Sequence, residues 1–374
     1  MTALLAARRT ALLTAPTLQT LPAAVAANVR RVRAATDARI MAVVKADGYG
    51  HGAITVARAA VEAGATWLGV TDLAEAVALR EAGFAEPILS WLNPAGVDAS
   101  VAAAYRVDIA VGSVGELRGL VADADAESPV RVHLHMDTGM SRGGCPLGEW
   151  HELLQVARQA RGRVEVVGVM GHLPRADEGD PRANEAAVLR MRQARDAVLR
   201  AGFGPLLVHL AATAGALTDP WTHFGMVRVG AGLVGIDPSE TVALVGASRF
   251  TASVVHSAQV PAGTPIGYGG MHVTTRPTNL SIVGVGYADG IPRELAPGAS
   301  VEICGERHPL VGRVSMDQIV VDTGDAAVER GAAVTVFGPE GGAVPSVQEW
   351  ARWAGTIPHA IVTGIGSRVQ RSIA

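Results

Sequence analysis

The chain has 374 residues, 49% of them hydrophobic, a net charge of −3 and two cysteines. That length exceeds one ordinary core but suits a barrel plus a second domain, and the near-neutral charge gives no electrostatic case for nucleic acid or an anionic membrane as partner. Cys145 and Cys304 lie far apart, with no disulfide framework or metal-ligand spacing, and no apolar run approaches the roughly 20 residues of a membrane span, so a cytoplasmic protein without a metal is expected.

The first 36 residues are rich in Ala and Arg and lack acids, a texture shared with transit peptides. Residues 21–35, however, already read as a helix of the fold. The apolar run 40–44 reads as a buried strand that ends on Lys45. An unpaired ammonium is costly to bury, so a lysine there is either paired or chemically used. A Gly-rich loop, 46–52, and a helix, 53–64, follow. Further strands are expected at 67–70, 88–92, 109–111, 130–135, 164–170, 206–210 and 226–233, and helices at 73–82, 114–122, 149–160 and 181–201. Eight strands with helical connections point to an α/β fold, a (β/α)8 TIM-type barrel. In such barrels the strand ends carry the chemistry, and Lys45, Arg142 and His172 all lie at or just beyond one.

After about residue 245 short alternating segments at 301–304, 319–322 and 333–337, separated by Gly and Pro, predict a mostly β domain closed by a helix at 347–354 and a Gly-rich end. The expected domains are residues 12–245, the cofactor-binding barrel, and 246–374, with 1–11 a possible addition to the second.

A lysine at a barrel mouth can form a Schiff base with an aldehyde, and pyridoxal 5'-phosphate is the common biological one. Such a cofactor needs a phosphate cradle, a partner for its ring nitrogen and groups that move protons. Tyr49 and Thr213 offer hydroxyls, Gly230 lets a backbone N–H approach a phosphate closely, and Arg228 can face the ring nitrogen.

The run Val44-Lys45-Ala46-Asp47-Gly48-Tyr49-Gly50-His51-Gly52 resembles the cofactor-attachment motif of alanine racemases. Five further matches follow in the same order: Asp137-Thr138-Gly139-Met140-Ser141-Arg142, Val227-Arg228-Val229-Gly230, Gly267-Tyr268-Gly269, Gly286-Tyr287-Ala288-Asp289-Gly290 and Val311-Gly312-Arg313-Val314-Ser315-Met316-Asp317-Gln318. The resemblance implies the same barrel followed by a β domain, and a homodimer whose active sites are shared between subunits. It also implies that Lys45 holds the cofactor and acts as base on one face of the substrate's α-carbon, while Tyr268 of the second subunit serves the other. His172 and Arg228 would lie in the network that lowers the pKa of that phenol, Arg142 would orient the carboxylate of a small amino-acid substrate, and the Met316 backbone would meet the same carboxylate.

The chain departs from the family pattern at several places. His359, in Ile357-Pro358-His359-Ala360, stands where a phosphate-binding tyrosine is usual; Ala212-Thr213 replaces Asn-Ser; Val234 replaces a tyrosine; Leu173-Pro174-Arg175 follows His172; and His135 occupies the position often held by a carbamylated lysine. The racemase reading therefore stands beside two others: an enzyme of the same build acting on another amino acid, including a decarboxylase or epimerase, and a non-catalytic cofactor binder.

Overall fold

The computed structural model describes residues 15–93 and 96–374. Eight parallel strands close into a barrel: after β1 (Thr17–Thr20) come β2 (Arg39–Val43), β3 (Trp67–Val70), β4 (Ile88–Ser90), β5 (Val107–Val111), β6 (Val130–His135), β7 (Val164–Met170), β8 (Leu207–His209) and β9 (Met226–Val229), and β2 to β9 form the ring. Closure is made by β9 pairing with β2 through Met41 opposite Arg228. Strand side chains alternate in direction, so Met41 and Val43 share the barrel interior with Trp67, Leu89, Ala110, Met170 and Met226. The same period turns Lys45, next after Val43, toward the mouth.

Several expected elements change. The strand read as 226–233 ends at Val229, because Gly230 leaves the extended region and Ala231–Val234 winds into a 3-10 turn. The helix read as 181–201 is a 3-10 turn, Pro181–Asn184, followed by the α-helix Glu185–Arg200. Short helices Ala99–Ala104 and Thr213–Thr218 lie where no helix was expected.

The chain divides into two compact units, one running Ala23–Val245 and the other combining residues 15–22 with Gly246–Ala374. The expected start of the barrel domain, residue 12, lies outside the described residues. Residues 15–22, expected in the barrel domain, group with the second unit because β1 is a strand of its sheet.

With β1, that sheet takes in β10 (Ser248–Val260), β13 (Thr278–Val283), β14 (Ser300–Ile303), β15 (Glu306–Pro309), β16 (Ile319–Gly324), β17 (Ala333–Phe337) and β18 (Gln370–Ile373), whereas β11 (Pro265–Ile266) and β12 (His272–Val273) form a separate small hairpin. Its main order is β15-β14-β17-β10-β1-β18, and β13 pairs with both β10 and β16. β1 runs antiparallel to β10 and parallel to β18. The core of this unit gathers Leu18, Phe250, Phe337 and Trp350, and the Trp350 indole donates to the Val336 carbonyl at 2.7 Å, so its buried polar atom is satisfied. No helix among the described residues is long and apolar enough to cross a membrane.

Candidate active site

Of the 32 Lys and Arg residues, only one is lysine: Lys45. That signal was present in the composition and is absent from the motif-based reading. Every other permanent cation is an arginine, whose guanidinium neither gives up its proton nor forms imines under ordinary conditions. Lys45 sits half-buried just beyond β2, and its pKa is lowered from 10.5 by burial first and by the Arg142 charge second, with Glu75 opposing and Arg228 adding to the fall.

The residues after Lys45, expected as a loop, form one turn of left-handed helix. Ala46, Asp47, Gly48 and Tyr49 have φ of 51°, 52°, 62° and 57°. Three of the four are not glycine, and each such residue costs roughly 1–2 kcal/mol in this region. The strain is offset by hydrogen bonds that a right-handed turn would not place here. The Ala46 N–H donates to Glu75 Oε1 at 2.7 Å, and Glu75 Oε2 also accepts from the N–H and hydroxyl of Thr71 at 2.9 Å each. Asp47 Oδ1 accepts from the N–H of Ala53, at the start of the next helix, at 2.9 Å. Sequence reasoning missed Glu75; the Asp72-x-x-Glu75 spacing, in which Asp72 accepts from the Glu75 N–H at 2.9 Å, is the helix-start signal that marks it.

The turn aims Tyr49 at Gly230, where a Cβ would overlap the tyrosine ring and hydroxyl. Only glycine fits there. Burial raises the Tyr49 pKa to about 12, so its hydroxyl keeps its proton and can donate. Thr213 Oγ1 accepts from the Gly230 and Gly232 amides at 3.3 and 3.1 Å, which gathers one hydroxyl and two N–H groups at the end of β9. Tyr49, Thr213 and Gly230 are thus brought together as expected by the cradle reading.

Arg228, on the interior face of β9, is 5% exposed. Its Nη atoms donate to the carbonyls of Gly171, His209 and Leu210 at 2.7, 3.1 and 3.1 Å and to Nδ1 of His209 and His172 at 3.0 and 3.2 Å. None of these bonds uses the Nε–H. Burial lowers the guanidinium pKa to about 10, which still leaves it charged at neutral pH.

His172, implied by the resemblance to share a network with Arg228, lies beside it as an uncharged ring. Burial, then Arg228, pushes the His172 pKa to about 3, so the ring is neutral. Because Nδ1 accepts from Arg228, the ring proton sits on Nε2, and His172 is an N–H donor. Its backbone is clamped by Thr138, whose hydroxyl donates to the His172 carbonyl and accepts from its N–H at 3.1 Å.

Arg142 ends a loop organised by Asp137, whose Oδ1 accepts from the N–H groups of Gly139, Met140 and Ser141 at 2.9, 3.1 and 3.1 Å. The side chain itself is exposed and makes no ion pair among the described residues. His135 beside it is an uncharged ring: burial, then Arg228, lowers its pKa to about 4.

Tyr268, Met316 and His359 belong to the second unit. Tyr268 starts a 3-10 turn between β11 and β12 and is 72% exposed. Met316, 53% exposed, is presented by a backbone clasp in which Tyr287 and Ala288 N–H groups donate to the Ser315 and Met316 carbonyls at 3.0 Å each. Buried Asp289 accepts from the Gly286 N–H and pairs with Arg368, which also meets Asp317, so the two sequence motifs hold each other. His359 lies half-buried in the first turn of helix Pro358–Thr363.

Residues 22–238 match the N-terminal domain of alanine racemase and residues 247–373 its C-terminal domain. The chain belongs to the alanine racemase family. The alanine racemase of Salinispora tropica is 42% identical over 354 residues, covering 93% of this chain and 95% of its own. The solved structure of alanine racemase from Streptomyces coelicolor A3(2) superposes with a TM-score of 0.91 at 38% identity, covering 96% of this chain and 98% of that one. Another from Bartonella henselae, described with covalently bound pyridoxal phosphate, gives 0.86 at 25% identity over 96% and 99% of the two chains. Both halves of the alanine racemase fold, barrel and β domain, are therefore present in one chain.

Proposed function

We propose that this chain is a pyridoxal-phosphate-dependent racemase that interconverts L- and D-alanine, with Lys45 as the cofactor's attachment point and one of two proton carriers. The observation that carries the reading is the sole lysine at the mouth of the barrel, with its amine pushed toward the uncharged, nucleophilic form. The residues around it fit the group. The Tyr49 hydroxyl, the Thr213 hydroxyl and the Gly230 amide suit a phosphate, and the Nε–H of Arg228 suits a pyridine nitrogen.

When joined to an amino acid the cofactor draws electrons from the α-carbon and acidifies its hydrogen. Lys45 takes or returns that proton on one face. Tyr268, supplied by a second copy of the chain, does so on the other. A phenol needs help to release a proton near neutral pH. The N–H of neutral His172, backed by the Arg228 charge, provides it by donating to the developing phenolate. Arg228 donates to the ring nitrogen without surrendering its own proton, which keeps that nitrogen neutral and limits the reaction to removing and returning one proton. Arg142 and the Met316 backbone of the second copy orient the substrate carboxylate. The free thiols Cys145 and Cys304 suit a cytoplasmic, reducing setting.

The test is incubation of the loaded enzyme with L-alanine in deuterium oxide. Appearance of D-alanine with deuterium at the α-carbon is expected, and Tyr268→Phe should slow at least one direction by roughly 10²-fold or more. Carbon dioxide release without chirality loss would establish a decarboxylase instead, and a loaded protein that changes no amino acid would establish a binder.

A further inference from the structure

Below Arg228 the barrel interior holds a line of polar side chains that the racemase reading leaves without a task. Arg228 Nη1 donates to His209 Nδ1, His209 Nε2 lies 2.8 Å from His133 Nδ1, and His133 Nε2 lies 3.3 Å from Asp108 Oδ2. Asp108 in turn accepts from Arg131 Nε at 2.9 Å. Asp108, His133 and His209 are at most 2% exposed, whereas the Arg131 side chain is 45% exposed and lines a cleft of about 1040 Å³ at the N-terminal ends of the strands.

Only one arrangement of protons satisfies the whole line. Arg228 can only donate, so His209 Nδ1 accepts and carries no hydrogen. Burial, then the Arg228 charge, keeps His209 neutral, which puts its one hydrogen on Nε2. His133 Nδ1 must then accept, its hydrogen sits on Nε2, and Asp108 receives it as a carboxylate. The barrel is shaped around this line: a Cβ at Gly168 would overlap the His133 ring, the β6–β7 register shifts between Val132 and His133, and Trp67 packs edge-on to His133 with centroids 5.6 Å apart. Apolar side chains would fill the same space with less desolvation cost.

We infer that Asp108 and His133 are positioning residues: they set the tautomer of His209, and through it the direction in which Arg228 presents its Nε–H to the site. The inference rests on the racemase reading for its effect on rate. Asp108 acts at the far end, touching neither substrate nor cofactor, and its carboxylate is the acceptor that gives the line its direction. An amide there has one acceptor and one donor. With its oxygen on Arg131, its N–H opposes His133 Nε2–H; with its oxygen on His133, its N–H opposes the Arg131 guanidinium, which contacts both Asp108 oxygens; and reversing both rings would turn a His209 N–H against Arg228. At His133, by contrast, glutamine can accept from His209 and donate to Asp108, so His133→Gln preserves the direction and His133→Leu abolishes it.

The experiment labels the cofactor-loaded protein with 15N-histidine and reads the ring nitrogens by NMR beside alanine racemisation kinetics, with His209 assigned by loss of its signals in His209→Gln. In the parent, His209 should carry hydrogen on Nε2 and none on Nδ1. Asp108→Asn should reverse or mix that pattern and lower kcat about 10-fold, the size of loss seen when outer partners of a site residue are removed. KM should stay within about 3-fold, because Arg142 is untouched. His133→Gln should keep the parent pattern and most of kcat, while His133→Leu loses both. Hydrogen on His209 Nδ1 in the parent would overturn the inference even if every variant failed to fold. So would Asp108→Asn with an unchanged His209 pattern and kcat within about 2-fold, or His133→Gln falling as far as His133→Leu. A parent that racemises no amino acid would sink the racemase reading alone, since the tautomer result stands by itself.

Discussion

Lys45 becomes reactive by being placed where an ammonium is poorly tolerated: half-buried, facing the charges of Arg142 and Arg228, with only Glu75 pulling the other way. Each of the first two effects disfavours the protonated form, so the free amine is populated at lower pH than for an exposed lysine. Because no second lysine exists, Lys45 is the one side-chain amine an aldehyde can capture, and peptide mapping separates it from the chain's α-amine. In cofactor-free protein treated with pyridoxal 5'-phosphate and trapped with borohydride, peptide mapping should find the modified side chain at Lys45 alone. Its initial rate of capture should rise with pH to a plateau whose midpoint lies below 10.5. Arg142→Ala removes one depressing charge and should move that midpoint up. A midpoint at or above the ordinary lysine value would show that the pocket does not activate the amine.

At the scale of elements, the left-handed turn after β2 is what separates this site from an ordinary strand-loop-helix connection. Glu75 accepts three hydrogen bonds from the residues around it, and Glu75→Gln keeps the shape while setting an amide N–H against the backbone N–H of Ala46 or of Thr71, which can only donate. Loss of one or two such bonds should lower unfolding free energy by about 1–3 kcal/mol in urea, with an unchanged slope. The same change removes the one acid that raises the Lys45 pKa, so the midpoint of amine capture should fall further. A variant as stable as the parent, with an unmoved midpoint, would detach Glu75 from the turn. The apolar strands and most helices of the barrel were legible in the sequence, because burial on both faces writes continuous apolar runs of the right length. The turn was not: Ala46, Asp47 and Tyr49 have no intrinsic preference for positive φ, and the group that holds Ala46 there lies 29 residues away. β10 was missed for a different reason, since Ser, Arg, Thr, His and Gln interrupt its apolar residues and its pairing with β1, β13 and β17 supplies what its own pattern lacks. His172 was found by position, but its neutrality was not legible, because it comes from burial and from Arg228 on another strand. His133, His209 and Asp108 lie on three different strands, and only closure of the ring aligns them.

For the molecule as a whole, the division of residues between the two units carries a consequence for assembly. Lys45, Tyr49, Arg142, His172, Thr213 and Arg228 lie on the barrel unit, whereas Tyr268, Met316 and His359 lie on the unit where Tyr268 and Met316 are exposed, along with Met271 and Ile357 at 69% and 59%. Large apolar side chains held out in this way favour burial against another surface. In a symmetric dimer where each barrel meets the second unit of its partner, every site takes its lysine from one chain and its tyrosine from the other. That arrangement predicts complementation between two inactive variants. In a dimer of Lys45→Ala with Tyr268→Phe, one site combines both lesions and the other combines neither. Random mixing makes about half of the dimers hybrid with one of two sites intact, so unfolding and refolding equal amounts together should restore about a quarter of the parent's racemase activity. Each variant refolded alone should stay at its own low level. If the tyrosine were supplied by the same chain as the lysine, the hybrid would contain no intact site and the mixture would remain as inactive as its parts.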